Sequence, residues 1–339
     1  MHAAARPFAV ALASSLHRLA AGLGLLLALA ACAMAQGPEP SPGAAQHRKA
    51  IALTFDDVPR APGAFMTPDE RARRLIAALE EARVEQAAFF VNPGFLARPE
   101  GQGGEARIAA YAAAGHVIAN HSFSHPHLSE ISAEAYLADI DRAEAWLRGR
   151  PGRRAWFRFP FLDEGRGDKA KRDVVRAGLA ARGLANGYVT VDASDWNMEQ
   201  LAIDARAAGK PIDMDGLRRL YVDSHVEAAE AYGALALRAL GRSPIHVMLL
   251  HETDLAALFL PDLVAALRAA GWEIVTADAA FADPIAPLAA SVDAPSAQGA
   301  LIEAIAWERG IPAPRWWPGN ETAIAKQRFE REVLCDGPP

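Results

Sequence analysis

The feature that most constrains the fold of this chain is a regular alternation of short apolar runs with stretches of helical periodicity. Apolar runs of strand length lie at 51–55, 87–91, 117–119, 156–159, 188–191, 245–250 and 272–275. Helical stretches separate most of these runs. Because parallel strands need a crossover connection, which is usually a helix, this order predicts a parallel α/β architecture, either open or closed.

Three helix starts are predicted from capping residues and proline. Residues 67–70 (TPDE) place threonine at the N-cap, proline at N1 and glutamate at N3, which is a capping box. Ser132 is expected to cap a helix that runs through Leu147. Another helix is expected over 261–270, beginning at Pro261, and 198–240 is expected to be mostly helical.

Charge and cysteine content exclude several classes of function. The chain has 35 Lys and Arg against 41 Asp and Glu, a net charge of −6, so we expect no nucleic-acid partner. Its two cysteines, Cys32 and Cys335, cannot form a disulfide framework or a thiolate zinc site. A metal in this protein must therefore be held by histidine and carboxylate.

The N-terminal residues 1–35 have the pattern of a signal peptide, with a charge-free run from Leu19 to Ala35. Two processing sites compete. An A-x-A sequence predicts cleavage before Gln36, whereas residues 29–32 (LAAC) resemble a lipobox, in which Cys32 is lipidated and attaches the protein to a membrane. Both predict an exported protein, periplasmic or secreted. We expect a linker at 36–49, the alternating domain at 50–283 and a Pro-rich C-terminal extension at 284–339.

Acids and histidines follow two of the predicted strands. Asp56 and Asp57 end the first strand, and adjacent strand residues point in opposite directions, so these acids can hold different roles. His121 and His125 follow the third strand, and two histidines four apart can face one ion where the segment is helical. With an Asp they form a His₂Asp site of the open, catalytic zinc type. Taken alone, turn or capping acids and buried, hydrogen-bonded imidazoles explain the same residues.

Five motifs in order resemble those of the NodB-type polysaccharide deacetylases, carbohydrate esterase family 4. They are 54–59 (TFDDVP), 121–125 (HSFSH), 158–161 (RFPF), 192–196 (DASDW) and 249–251 (LLH). The resemblance covers roughly residues 48–280. It implies a deformed (β/α)7 barrel and a divalent metal held by Asp57, His121 and His125, with zinc favoured over Co²⁺ or another divalent ion.

The resemblance also assigns acid–base roles. It makes Asp56 the general base, oriented by Arg158, and His251 the general acid, partnered by Asp195. This division suits amide hydrolysis, because a carboxylate can take the proton of water and a histidine can protonate the departing amine. It further implies that the backbone N–H of Phe161 helps to hold the oxyanion, and that Trp196 and Leu249 line the acetyl pocket.

Several features outside these roles carry expectations of their own. Val58 replaces the glycine of the family, which would reshape the loop after the acids. The long segment 197–244 is expected to lie near the active face and narrow the cleft. His127 is expected in a solvated loop. Trp316 and Trp317 are expected to dock the extension onto the barrel rather than to stack on sugar.

These observations predict an exported metal-dependent deacetylase that removes N-acetyl, or alternatively O-acetyl, groups from a cell-envelope or extracellular glycan. One rival is an amidohydrolase of the same fold that acts on a small non-sugar amide or a cyclic ureide. The other is a non-catalytic carbohydrate-binding protein, which the acid–base residues disfavour because binding alone needs neither a base nor an acid.

Overall fold

The computed structural model describes residues 48–334, whose eight strands pair in parallel to form one curved sheet. The strands are β1 Ala50–Val58, β2 Ala88–Val91, β3 Val117–Asn120, β4 Arg153–Phe157, β5 Ala185–Asn186, β6 Val191–Asp192, β7 Ile245–His251 and β8 Glu273–Ile274. Their order is β5-β4-β3-β2-β1-β7-β6, with β8 beside the start of β1. No ladder joins β5 to β6 within residues 48–334, so the barrel stays open there. The predicted deformed (β/α)7 barrel is confirmed.

Helices follow most of the strands, as the alternation predicted. They are α1 Pro68–Glu81, α2 Gly104–Ala113, α3 Ala133–Leu147, α4 Lys169–Ala181, α5 Asp195–Ala207, α6 Met214–Leu240, α7 Asp254–Ala269, α8 Ala277–Phe281, α9 Leu301–Glu308 and α10 Thr322–Glu332. None of the helices within 48–334 is long and apolar enough to cross a membrane.

Local sequence signals located two helix starts correctly. The Thr67 side chain accepts from the Glu70 N–H and the Glu70 carboxylate accepts in return, as the capping box requires. Ser132 caps α3 by accepting from the Ala135 N–H at 3.2 Å.

The predicted start of the helix at Pro261 is wrong. Helix α7 begins seven residues earlier, at Asp254, after the Thr253 cap, and it contains Pro261. Proline removes one hydrogen bond from a helix interior, but this helix is apolar and mostly buried. Its packing outweighs that local penalty. The run at 188–191 is also not one strand, because β5 ends before it and β6 begins at its last residue.

Strand β1 positions the chemistry. Residues 50–55 are buried, and the strand pairs with β2, β7 and β8, which accounts for its unbroken apolar run. Its register against β7 sets Asp56 opposite His251. The sheet itself therefore brings the predicted base and the predicted acid to the same edge.

The C-terminal extension shares the core of the barrel. Ile302, Ile305, Trp317 and Phe329 are buried in the same apolar cluster as the strands of the sheet. Trp317 is 8% exposed, whereas its neighbour Trp316 is 45% exposed. The expected docking therefore holds for one tryptophan of the pair and not for the other.

Some predictions fall on residues that the structure does not describe. The signal peptide 1–35, the competing sites at Cys32 and Gln36, the linker up to residue 47, and Cys335 lie outside residues 48–334. They remain predictions from the sequence.

The two adjacent tryptophans give a test of how the extension is held. Trp317→Ala should lower the free energy of unfolding by about 3–5 kcal/mol, because it opens a cavity under the extension. Trp316→Ala is the matched control and should change it by less than about 1 kcal/mol, because that ring is largely exposed. Chemical denaturation measures both, and equal losses would contradict this packing.

Candidate active site

The carboxyl ends of the central strands meet at an open cleft of about 620 Å³, within the roughly 300–1,000 Å³ typical of small-molecule sites. Most of the site residues predicted from the sequence line it: Asp56, Asp57, His121, His125, Phe161, Trp196, Leu249 and His251. Arg158 and Asp195 are buried behind the cleft, and each contacts a residue that lines it. The structure thus brings the whole predicted set together.

Three side chains converge as a set of metal ligands would. The Asp57 Oδ1 atom lies 3.0 Å from Nε2 of His125 and 3.6 Å from Nε2 of His121. One ligand atom from each of the three residues lies within 4.8 Å of the others. The three residues therefore form a compact N,N,O donor set.

The chemistry of these donors fits a cation. The Asp57 Oδ1 atom is buried without a hydrogen-bond partner among the described residues. Nδ1 of His121 lies 3.0 Å from the Arg158 carbonyl, which must accept, so the lone pair of Nε2 faces the cleft. Burial lowers the pKa of His121 to about 4, which keeps the imidazole neutral. A divalent ion would satisfy the orphaned carboxylate oxygen and both imidazoles.

Residues 121–125, which hold both histidines, form a tight loop and not a helix. Asn92 donates to the carbonyls of His121 and Ser122, and Ser122 Oγ accepts from the His125 N–H at 2.9 Å. His125 has a φ of 63°, a left-handed conformation that non-glycine residues rarely adopt. The loop turns back on itself, and this brings both imidazoles to Asp57 without helical spacing.

Left-handed backbone also occurs at Asp57, with φ 64°, and at Phe161, with φ 57°. Such conformations cost on the order of 1–3 kcal/mol each and cluster at functional sites. Val58, where the family has glycine, is a buried residue of β1 and is not among the positive-φ residues. Val58 therefore needs no left-handed backbone, and the expected reshaping of the loop stays a prediction.

A buried guanidinium holds Asp56. Arg158 Nη1 donates to Asp56 Oδ1 at 2.6 Å and to Thr54 Oγ1 at 2.8 Å, while its Nε donates to the Gly187 carbonyl at 2.6 Å. The other carboxylate oxygen of Asp56 lies 3.6 Å from Nε2 of His121. Asp56 therefore has one oxygen fixed by Arg158 and the other directed to the donor set.

His251 is paired with a buried acid. Its Nδ1 lies 2.7 Å from Asp195 Oδ1, and its backbone N–H donates to Asp195 Oδ2 at 2.8 Å. Burial alone would lower the pKa of His251, but the Asp195 carboxylate outweighs it and raises the pKa. Nδ1 therefore carries the proton that Asp195 accepts, and Nε2 is left to exchange a proton in the cleft.

Aromatic side chains form the rim of the cleft. Phe161 and Trp196 are 46% and 41% exposed, and Leu249 is buried beside them. The ring of His127 stacks under Phe161 with centroids 3.5 Å apart, and its Nδ1 lies 3.3 Å from Asp163. The expectation of a solvated loop histidine at His127 is wrong, because this ring supports the rim.

Sequence reasoning missed Arg60. Its Nη1 donates to Asp57 Oδ2 at 2.7 Å, its side chain lines the cleft, and its backbone N–H donates to Glu252 at 2.8 Å. The pairing leaves Oδ1 as the free oxygen of Asp57. Arg60 directly follows Pro59 of the first motif, and its charge beside two acids was the available signal.

The expectation that segment 197–244 lies near the active face and narrows the cleft is wrong. Within the described residues, none from 197–244 lines it. Helices α5 and α6 of that segment pack against α7, α9 and α10 instead. The wall comes from the C-terminal extension, through Gln298, Gly299, Glu303, Trp316, Asn320 and Glu321. These residues lie outside the five motifs, and only Trp316 is of a residue type that could have suggested a place in the cleft.

Part of the chain matches a known protein family. A family model described as polysaccharide deacetylase matches residues 43–181. No curated protein matches the chain.

Several solved structures are similar to it. A family 4 carbohydrate esterase from Streptomyces lividans, in complex with acetate, is 20% identical with a TM-score of 0.45, covering 68% of this chain and 95% of that one. The peptidoglycan deacetylase PdaC from Bacillus subtilis is 19% identical with a TM-score of 0.42, covering 68% and 89%. The chitin deacetylase from Colletotrichum lindemuthianum is 20% identical with a TM-score of 0.45, covering 67% and 84%.

The family model begins before β1 and ends with α4, so it covers Asp56 and Asp57 of β1 and His121 and His125 in the loop after β3. The five motifs lie at the strand ends of a deformed barrel, as the resemblance implied. Over residues 43–181 the chain is therefore similar to the polysaccharide deacetylases, which are hydrolases that act on acetyl groups of polysaccharides.

Proposed function

We propose that this protein is a metal-dependent deacetylase that hydrolyses N-acetyl, or alternatively O-acetyl, groups of a cell-envelope or extracellular polysaccharide. The observation that carries the proposal is the orphaned Oδ1 of Asp57, buried against two imidazole nitrogens in an open cleft. Asp56 and His251 line the same cleft, each held by its own buried partner. Donor set, base and acid together support hydrolysis rather than binding alone.

The chain's own residues supply the proton transfers. A divalent ion held by Asp57, His121 and His125 would act as a Lewis acid that polarises the acetyl carbonyl and makes water more acidic. Asp56, fixed by Arg158, accepts a proton from the attacking water. His251 donates a proton to the nitrogen as the amide C–N bond breaks, so that acetate and a free amine are released.

The nature of the donors favours zinc. Imidazole and carboxylate are common Zn²⁺ ligands, and three protein ligands leave positions for water and substrate. Co²⁺ and other divalent ions accept the same donors, so they remain alternatives to zinc.

We also propose that the protein is exported, on the charge-free run from Leu19 to Ala35. The mature protein should fractionate with the envelope or the medium. If Cys32 is lipidated, the protein should partition into detergent, and Cys32→Ser should release it or block its maturation. Recovery of intact protein that begins at Met1 in the cytoplasm would contradict export.

Acetate release tests the proposed activity. The zinc-loaded protein should release acetate from at least one of peptidoglycan, poly-N-acetylglucosamine and chitin oligosaccharides. Asp56→Asn should lower kcat by roughly 10²–10⁴-fold, the usual contribution of general acid–base catalysis. Enzymatic assay of acetate gives both results.

The metal content of two variants distinguishes the proposed base from the proposed metal ligands. By elemental analysis, Asp56→Asn should keep its ion, whereas His121→Ala should lose it, because only the second removes a donor nitrogen. Activity on a small non-sugar amide, with none on any of the glycans, would favour the rival amidohydrolase. Normal turnover of metal-loaded Asp56→Asn would show that the base is misassigned.

The Asp195–His251 pair predicts a pH effect of definite sign. The Asp195 carboxylate raises the pKa of His251, so the imidazole stays protonated to higher pH. Asp195→Asn removes that charge while burial remains, so the pKa should fall. The alkaline limb of kcat/KM should then move to lower pH, by about one unit or more.

The matched control for this prediction is Asp204→Asn, which removes an exposed carboxylate from the same helix, α5. It should leave the pH profile unchanged. An unchanged alkaline limb in Asp195→Asn would mean that His251 is not the proton donor in the rate-limiting step.

A further inference from the structure

The C-terminal extension is bonded directly to one loop of the active site. The Gln298 side chain donates to the Phe161 carbonyl at 3.1 Å, and the Glu164 N–H donates to the Ala297 carbonyl at 2.8 Å. The Leu301 N–H then donates to the Val189 carbonyl at 2.7 Å. These bonds hold residues 297–301 against the loop that carries the aromatic rim.

A second attachment fixes the extension to the end of β6. The side-chain Nδ2 of Asn320 donates to the Asp192 carbonyl at 2.9 Å, and Ser194 Oγ donates to the side-chain Oδ1 of Asn320 at 3.2 Å. Ser194 directly precedes Asp195, the partner of His251. The extension is therefore bonded to the segment that leads into Asp195.

Trp316 lies between these two attachments in sequence and presents its ring to the cleft. It is 45% exposed and lines the same cavity as the donor set, whereas Trp317 is packed in the core. Phe161 and Trp196 are the other exposed aromatic residues of this cleft, and they belong to the family motifs. Trp316 lies outside those motifs and is not one of the residues that the resemblance places in the acetyl pocket. Its exposure in the cleft therefore needs another explanation.

Polar groups of the extension line the same cleft as this ring. Glu303, Asn320 and Glu321 line the cleft, and the Tyr232 hydroxyl donates to the Glu303 carboxyl. Burial raises the pKa of Glu303 to about 8, so its carboxyl can donate as well as accept hydrogen bonds near neutral pH.

The Glu303 carboxyl lies close to the backbone of Gly299. It has a φ of +113°, and a Cβ at this position would lie 2.4 Å from Oε2 of Glu303. The positive φ favours glycine at this position, and any larger residue there would also force the Glu303 carboxyl to move. Gly299 therefore lets the Glu303 carboxyl lie close to the backbone of the extension.

We propose that this wall is a subsite for a neighbouring pyranose ring of the glycan chain, with Trp316 as the stacking platform. A sugar ring has an apolar C–H face that suits an indole and hydroxyl groups at its edge that suit Glu303 and Asn320. This inference rests on the proposed deacetylase function and adds that the extension selects for polymeric substrate. The subsite is built by residues 297–321, outside the five motifs.

Steady-state kinetics on N-acetylglucosamine oligomers tests the subsite. In the full-length, zinc-loaded protein, Trp316→Ala should lower the ratio of kcat/KM for the pentamer to that for the monomer about tenfold, which is about 1.4 kcal/mol. The loss should appear mainly in KM, because the platform binds substrate and does not touch the reacting atoms. Trp316→Phe should restore much of the ratio, since it keeps an aromatic face.

Trp307→Ala is the matched control, because this tryptophan of α9 is 46% exposed and does not line the cleft. It should leave the ratio unchanged. If Trp316→Ala also leaves it unchanged, or if Trp307→Ala lowers it equally, the subsite is wrong.

A binding measurement keeps this test separate from the catalytic proposal. Calorimetry with the pentamer and the zinc-loaded Asp56→Asn protein gives an affinity that does not depend on turnover. Adding Trp316→Ala to this protein should weaken binding about tenfold, and equal affinities would overturn the subsite. Absence of acetate release from every glycan, with this weakening observed, would overturn the deacetylase and leave the sugar site standing.

Discussion

The site depends on one buried arginine more than on any other residue. The guanidinium of Arg158 fixes Asp56 and bonds to Thr54 of β1, while its own carbonyl accepts from His121. A buried charge is costly unless it is paired and its donors are satisfied, and here the carboxylate, the hydroxyl and the Gly187 carbonyl satisfy it. The requirement to pair this charge thus orients the base, and the backbone of the same residue sets the tautomer of a metal ligand. Loss of Arg158 would disturb both.

Strained backbone in the site is maintained by the surrounding fold. Asp57, His125 and Phe161 all take left-handed conformations, and each presents a group to the cleft. Around His125 the strain is offset by Asn92, which donates to the His121 carbonyl, by Ser122 Oγ, which accepts from the His125 N–H, and by Asp139, which accepts from the Phe123 and Ser124 N–H groups. The chain's own hydrogen bonds therefore hold the loop that carries two members of the donor set.

The sequence predicted the strand-end chemistry because that chemistry is local. Asp56 and Asp57 lie near the end of β1, and His121 and His125 are in the loop after β3, so finding the strands also located the residues. Features set by tertiary packing were not predictable in this way. Helix α7 contains Pro261 because its apolar faces are buried, and segment 197–244 lies away from the cleft because α6 packs its buried face against α7 and α9. Segment length alone could not show which face of the barrel these helices cover.

The adjacent tryptophans of the extension divide between the core and the cleft. Consecutive residues of an extended backbone point to opposite sides, and Trp317, with φ −75° and ψ 121°, is extended. One ring therefore fills the core and anchors the segment, and this anchoring fixes the neighbouring ring at the cleft. The barrel carries the five motifs, whereas the extension supplies a wall that those motifs do not encode. Under the proposed function, changes in the extension would alter which glycans are accepted while leaving the predicted catalytic residues in place.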